Sequence, residues 1–197
     1  MAQILQSLLK TVIAGIILLI LILTVETNIS GNSITFGHAW ASFVMRWLHV
    51  GSGVMWIGLL WYFNFVQIPS MPSIPDEQKP AISKVIAPTA LFWFRYAALA
   101  TVITGVLLAW MQGYLVNALS LQPGVVAIGL GMWIALVMAF NVWFIIWPNQ
   151  QKALGIVTVD APEKAKAART AMLTSRINTM LSISMLYMMV AQQNAGL

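Results

Sequence analysis

No cysteine occurs anywhere in the 197 residues. That absence excludes disulfides, thiolate metal sites, iron–sulfur clusters, covalently attached c-type haem and a cysteine nucleophile. Histidine is nearly as scarce, and two residues are too few for a His-rich metal cage. Charge is scarce as well. Asp, Glu, Lys and Arg make up 8% of the chain, against about 25% in soluble domains. Only five residues are acidic. What fills the sequence instead is apolar: 60% hydrophobic residues, with nine Trp. This balance excludes a water-soluble fold and points to a small all-α integral membrane protein.

Five stretches are long and apolar enough for a helix to cross a bilayer, which takes about 20 residues. They are read at about 8–25, 39–66, 88–112, 123–147 and 161–192. In the last, the membrane part starts near Met172 and the residues from Ala161 form a cytoplasmic extension. None of the five alternates like a barrel strand. The first run follows Lys10 and has the look of a signal peptide, but Thr24-Val25-Glu26-Thr27 offers no small-x-small cleavage site. It is therefore read as a retained helix.

The basic residues set the orientation. Lys10 precedes helix 1, Lys79 and Lys84 follow helix 2, and Lys152, Lys164, Lys166 and Arg169 follow helix 4. The segments after helices 1, 3 and 5 carry no Lys or Arg. By the positive-inside rule the N-terminus is inside and the C-terminus outside. The net charge of +5 is thus a topology signal spread over three segments, with no nucleic-acid patch.

The expected organisation is a single transmembrane domain, 1–197, without internal repeats. Helix 1 is apolar on every face and reads as a peripheral, lipid-facing helix. Helices 2–5 carry the polar residues and read as a four-helix bundle. Pro69, Pro72, Pro75, Pro80 and Pro88 predict an extended, stiff segment before a short helix, and Asp76 and Glu77 after Pro75 suit a helix start. Asp160 and Glu163 resemble a capping box at the start of helix 5. Trp40, Trp47 and Trp110 fit an outer aromatic belt, and Trp61, Trp93, Trp143 and Trp147 an inner one; Trp56 and Trp133 lie deeper. Gly124, Gly129, Gly131, Ala135 and Ala139 give helix 4 a small-residue side for close helix approach.

Chemistry concentrates on helix 2. His38, Ser42, Arg46, His49, Gly53 and Trp56 recur at spacings of three or four and share one face. His49 falls within the membrane, where an ionisable group is a functional candidate by default. One reading is b-type haem: His49 as axial and metal ligand, Gly53 making room for the porphyrin edge, Arg46 pairing with a propionate. His38 sits roughly 16 Å further along the helix and cannot share the iron. Met111, Met185, Met188 and Met189 are available as second ligands. The other reading has Arg46 reaching the outer headgroups and neutral His49 bonding a neighbouring helix. A second, inner cluster comprises Asn64, Arg95, Asn141, Asn149, Arg176 and Asn178. It reads either as an anion pocket or as an interhelical hydrogen-bond network. No carboxylate lies within the membrane parts of helices 2–5, so a carboxylate proton relay is not equipped.

Three stretches together resemble a known family. Arg46-Trp47-Leu48-His49-Val50 with Gly53-Val54-Met55-Trp56-Ile57-Gly58, then Ile146-Trp147-Pro148-Asn149-Gln150, then Ser175-Arg176-Ile177-Asn178-Thr179, are similar to the urate oxidase N-terminal family. That family is the membrane domain of bacterial urate hydroxylases. The Leu48-His49 to Trp56-Ile57-Gly58 element is also similar to copper-resistance membrane proteins and membrane protoporphyrinogen oxidase, where the helix His is associated with haem or metal. The resemblance covers roughly 39–190. It departs at Ile177 and Ser184, where the family has His and Pro, and no Cys is present for a cytochrome c domain. It implies the fold and a redox membrane of bacterial inner or cytoplasmic type, without carrying urate hydroxylation across.

The residues thus favour a non-catalytic integral subunit of a larger oxidase- or monooxygenase-type complex, partnered by the bilayer and other membrane subunits and by no nucleic acid. The alternative is a haem b electron-transfer protein or haem-dependent oxidoreductase using His49. A transporter of anions or small molecules using Arg95 and Arg176 is a third.

Overall fold

The computed structural model describes residues 2–194. It is 84% helix, and no strand occurs among the described residues. Five helices are long: α1, Leu8–Ser30; α2, His38–Ser73; α3, Lys79–Met111; α4, Val126–Ala153; and α5, Ala161–Asn194. The first four are long and apolar enough to cross a membrane. The fifth is long enough, but too polar over any full span to join them by composition.

The chain divides into two compact units, Met1–Ala41 and Ser42–Leu197. The first is built on α1, which has no buried residue. It ends at Gly31, whose φ of 69° is the left-handed conformation that glycine adopts without strain.

In the second unit the core lies where α2, α3, α4 and α5 meet. Trp56 and Leu60 of α2, Phe94 and Ala98 of α3, and Met138 and Val142 of α4 are completely or almost completely enclosed. Phe63 and Phe94 close it edge to face at 5.7 Å. In lipid, helices gain no hydrophobic drive to associate, so dispersion and interhelical hydrogen bonds must hold such a core. The sequence of α5 fits that need. Its buried positions are Ala167, Ala171, Ser175, Asn178, Ser182, Met185 and Ala191, spaced by three or four apart from the last gap. Small side chains let its backbone approach α4, and hydroxyl and amide groups stitch it to both neighbours. Much of its polarity is therefore turned inward, Arg176 excepted, and these groups together make it fail a hydropathy test.

The connection from α2 to α3 differs from the extended segment expected. Helix persists to Ser73 and resumes at Lys79, leaving five residues between. The prolines are absorbed in two ways. Pro80 occupies the first turn of α3, where the missing N–H costs nothing. Pro69, Pro88 and Pro148 instead each follow a π-helical segment: Tyr62–Gln67, Ile82–Ile86 and Asn141–Ile146. In all three, the residue just before proline donates its N–H five residues back: Ile68 to Phe63, Ala87 to Ile82, Trp147 to Val142. A proline ring clashes with the carbonyl four residues earlier. Widening the turn by one residue relieves that clash and keeps the helix going.

Asp160 caps α5, its carboxylate accepting the Glu163 N–H at 2.8 Å. The reciprocal half of the capping box is missing, because Glu163 pairs with Lys152 at 2.5 Å. Trp133 is 48% exposed, and its indole N–H donates to the Leu119 carbonyl at 3.0 Å. Trp56 is wholly buried.

Candidate functional site

His49 lies on α2 and faces α3. Its Nδ1 is 2.9 Å from the Thr101 carbonyl oxygen and 3.3 Å from Thr104 Oγ1. A carbonyl only accepts, so Nδ1 must carry the proton. That fixes the neutral tautomer and leaves Nε2 as a lone-pair nitrogen. Metal-bound histidines are oriented in this way, with the other ring N–H given to a carbonyl or carboxylate.

The small residues around the ring hold it there. Thr101 and Thr104 turn their hydroxyls back to their own helix, at Ala97 and Ala100. Gly105 sits against the imidazole: a Cβ added there would lie 2.8 Å from His49 Cε1. Sequence reading missed Gly105, because nothing in α3 alone says which face meets a histidine. Gly105→Ala is expected to push the ring off the Thr101 carbonyl. Supporting-residue changes at metal sites cost about 10–100-fold in affinity, so any metal or metal-centred group held at Nε2 should bind more weakly by that much while the protein still folds.

Nε2 belongs to a residue lining a cavity of 590 Å³. That is within the roughly 300–1,000 Å³ of ordinary ligand sites. One wall is α2, with Arg46, His49, Gly53 and Trp56; the opposite wall is α5, with Met185, Leu186 and Met189. Thr101 and Gly105 of α3 and Met132 of α4 form the back. Close backbone contact between α2 and α5 is made through the π turn at Tyr62–Gln67, and the cavity lies above it. At that closed end the Trp61 N–H donates to Ser182 Oγ at 3.0 Å. At the other end stand Arg46, Tyr114, Gln193 and Asn194. Burial pushes the Tyr114 phenol above its ordinary range, and Arg46 opposes that shift.

The walls are overwhelmingly apolar, with a few polar groups set among them. The Nε of Arg46 and the indole nitrogen of Trp56 are buried without an acceptor. Among the described residues the ion pairs are Lys79–Asp76 and Lys152–Glu163, so Arg46 has no carboxylate. Gly53 lines the cavity, and a Cβ there would meet only the Thr101 methyl, at 3.9 Å. Of the methionines expected as second ligands, Met185 and Met189 line the cavity, whereas Met111 and Met188 do not. Met132 does line it, and was missed because neither of the two methionines in so apolar a helix carries a distinguishing signal. His38 is exposed at the start of α2.

The expected inner cluster does not form one site. Asn64 donates to Ser175 Oγ at 2.8 Å. Asn141 donates to Asn178 Oδ1 at 2.8 Å, and Asn178 in turn to the Met138 carbonyl at 2.9 Å. Those four side chains form interhelical ties. Arg95 is separate, its guanidinium stacked 3.3 Å above the Trp147 ring. Asn149 bonds its own helix at Ile145. Arg176 leaves the cluster altogether, being exposed on the outward side of α5 beside Leu173, Ile177 and Met180. Helix periodicity explains this: Ser175 and Asn178 share the buried face, and Arg176 is turned about 100° from Ser175.

Comparison with protein-family models, curated proteins and solved structures gave no match to this chain.

Proposed function

We propose that this chain is an integral membrane haem b protein that passes single electrons, with His49 as an axial ligand. The observation supporting this is the pinned imidazole. Its Nδ1–H is held by the Thr101 carbonyl, leaving Nε2 free on a residue that lines an apolar cavity of 590 Å³. The donor set fits the group. One nitrogen ligand is fixed, three methionines line the same cavity, and Arg46 offers an anion partner at one end. A bound haem would supply a reversible one-electron iron couple. The protein's own part is to orient the imidazole, exclude water with apolar walls, and neutralise carboxylates at Arg46.

In this proposal α5 also crosses the membrane, giving five spans. Helices α2–α5 form a four-helix bundle and α1 is peripheral. The N-terminus is inside, and the Arg46 end of the cavity faces out. The membrane is of the bacterial inner or cytoplasmic type. The likeness of three segments to the urate oxidase N-terminal family agrees with a redox role and remains part of the proposal. A reduced-minus-oxidised spectrum of protein purified in mild detergent tests it. A b-type Soret and α band is expected; a colourless protein, grown with haem supplied, sinks the reading.

The exposed Arg176 favours a second reading that is compatible with the first. A cation beside Leu173, Ile177 and Met180 on an outward helix face suits a neighbouring membrane subunit with a carboxylate. The chain would then be one subunit of a larger redox complex.

A further inference from the structure

The His49 cavity has an open side. Four residues of α2 that line it, Val50, Val54, Gly58 and Trp61, are themselves exposed. Their spacings of four, four and three make one stripe along the helix. On α5 the cavity-lining Val190 is exposed in the same way, and Leu186 is half-buried one turn before it. A residue that both lines a cavity and is exposed stands on its rim. The two stripes therefore flank a slot between α2 and α5. From Val50 to Trp61 it runs roughly 16 Å at the helical rise. Its foot is closed, where the Trp61 N–H donates to Ser182 Oγ and the π turn brings the two helices together.

The rim decides what can cross it. It is valine, leucine and glycine, with one indole at the foot and no charge. At Gly58 the rim is open, since nothing lies within 4 Å of a Cβ added there. On α2 these residues belong to a span long and apolar enough to cross a membrane. Lipid tails are as apolar as the slot, so a lipid-soluble group passes between them without a desolvation cost. The end of the cavity is different. Arg46, Tyr114, Gln193 and Asn194 crowd it with polar groups, and an apolar body pushed past them would strip their water. They suit only the charged edge of a ligand. Arg46, whose Nε lacks an acceptor, suits an acidic edge.

We infer that the cavity opens sideways into the bilayer between α2 and α5, and that its occupant enters from the lipid through this slot. Resting on the haem reading above, that occupant is haem, passing edge-on between Val54 and Val190 with its carboxylates toward Arg46.

Two measurements on the cysteine-free chain separate the path from the ligand. In the first, haem-free Met185→Cys in membrane vesicles meets an apolar organomercurial dissolved in the bilayer, or a sulfonated one in the water. Met185 lines the α5 wall and is 5% exposed. The lipid-borne reagent is expected to label it and the water-borne one to leave it unmodified. Adding Val54→Trp, which fills the slot, should slow labelling about tenfold or more, as a bulky group that must be pushed aside does. Met138→Cys, enclosed in the core, should stay unlabelled. In the second, haem-free protein takes up haem from haem-bearing vesicles. Val54→Trp and Gly58→Phe should slow uptake by a similar factor, and Gln193→Trp at the polar end should leave it unchanged. Labelling from the water alone, no labelling at all, or indifference to Val54→Trp would each overturn the slot. Absence of labelling is what α1 or a neighbouring subunit laid across it would give. Uptake slowed by Gln193→Trp and not by Val54→Trp would overturn the path while leaving haem in place. Labelling as expected with no haem uptake would leave the slot standing and overturn the haem reading together with its occupant. If Val54→Trp does not fold, Gly58→Phe makes the same comparison in both measurements.

Discussion

On the proposed haem b function, His49→Ala is expected to eliminate the haem absorbance, with no residual b-type spectrum. The expectation is absolute because the described cavity offers one nitrogen ligand. Methionine sulfur binds iron too weakly to hold the group unaided at micromolar protein. Two companion variants make the outcome specific. His38→Ala, changed at an exposed position, should leave the spectrum intact. His49→Gly with added imidazole should recover it, because the Thr101 carbonyl that orients the native ring is still there to orient a free one. An unchanged spectrum in His49→Ala would refute the ligand assignment even if the protein is coloured.

Gly129→Ala is the second large effect, and it concerns folding. A Cβ at Gly129 would run into the Ala118 carbonyl oxygen and the Leu121 side chain. The carbonyl belongs to a short helical segment, Leu115–Leu119, that packs on α4 around Ala118 and Met132. Backbone cannot step aside as a flexible side chain can. Overpacking of this kind costs about 1–3 kcal/mol and sometimes more. With a loss near 3 kcal/mol, melting in mild detergent should fall by roughly 10 °C. Gly51→Ala is the matched control. Nothing lies within 4 Å of its added Cβ, so it should be neutral or slightly stabilising, as helix propensity predicts. Equal melting of the two variants would show that Gly129 is not in a tight contact.

These two sites differ in how far the sequence reveals them. His49 stands out unaided, since an ionisable residue deep in an apolar helix is conspicuous. Its partners do not. Thr101, Gly105 and Met132 become a wall only when helices far apart in sequence are brought side by side. Gly129 is an intermediate case. Its place in a small-residue stripe marks close approach. The stripe suggests another long helix as the neighbour, whereas the contact is with the Leu115–Leu119 segment between α3 and α4. The apolar runs mark most of the helical chain, because hydropathy is a local property. Helix ends are less legible. Proline reads as a breaker, yet α2 passes Pro69 and reaches Ser73. The polar inward face of α5 shows the same limit from the other side: composition records how polar a helix is, not which way the polarity points.

The three π turns bear on any reading of periodicity in this chain. Each inserts one residue beyond the regular count, so everything after it is rotated by about 100° relative to an uninterrupted helix. Residues on either side of Tyr62–Gln67 or Asn141–Ile146 are therefore out of phase. A single wheel drawn through α2 or α4 puts its last two turns on the wrong side. Deleting one residue within a π segment would restore phase and turn the residues that follow it to another face of the helix. The same protein thus carries, at one end, helices whose faces are set by counting errors that proline makes permanent.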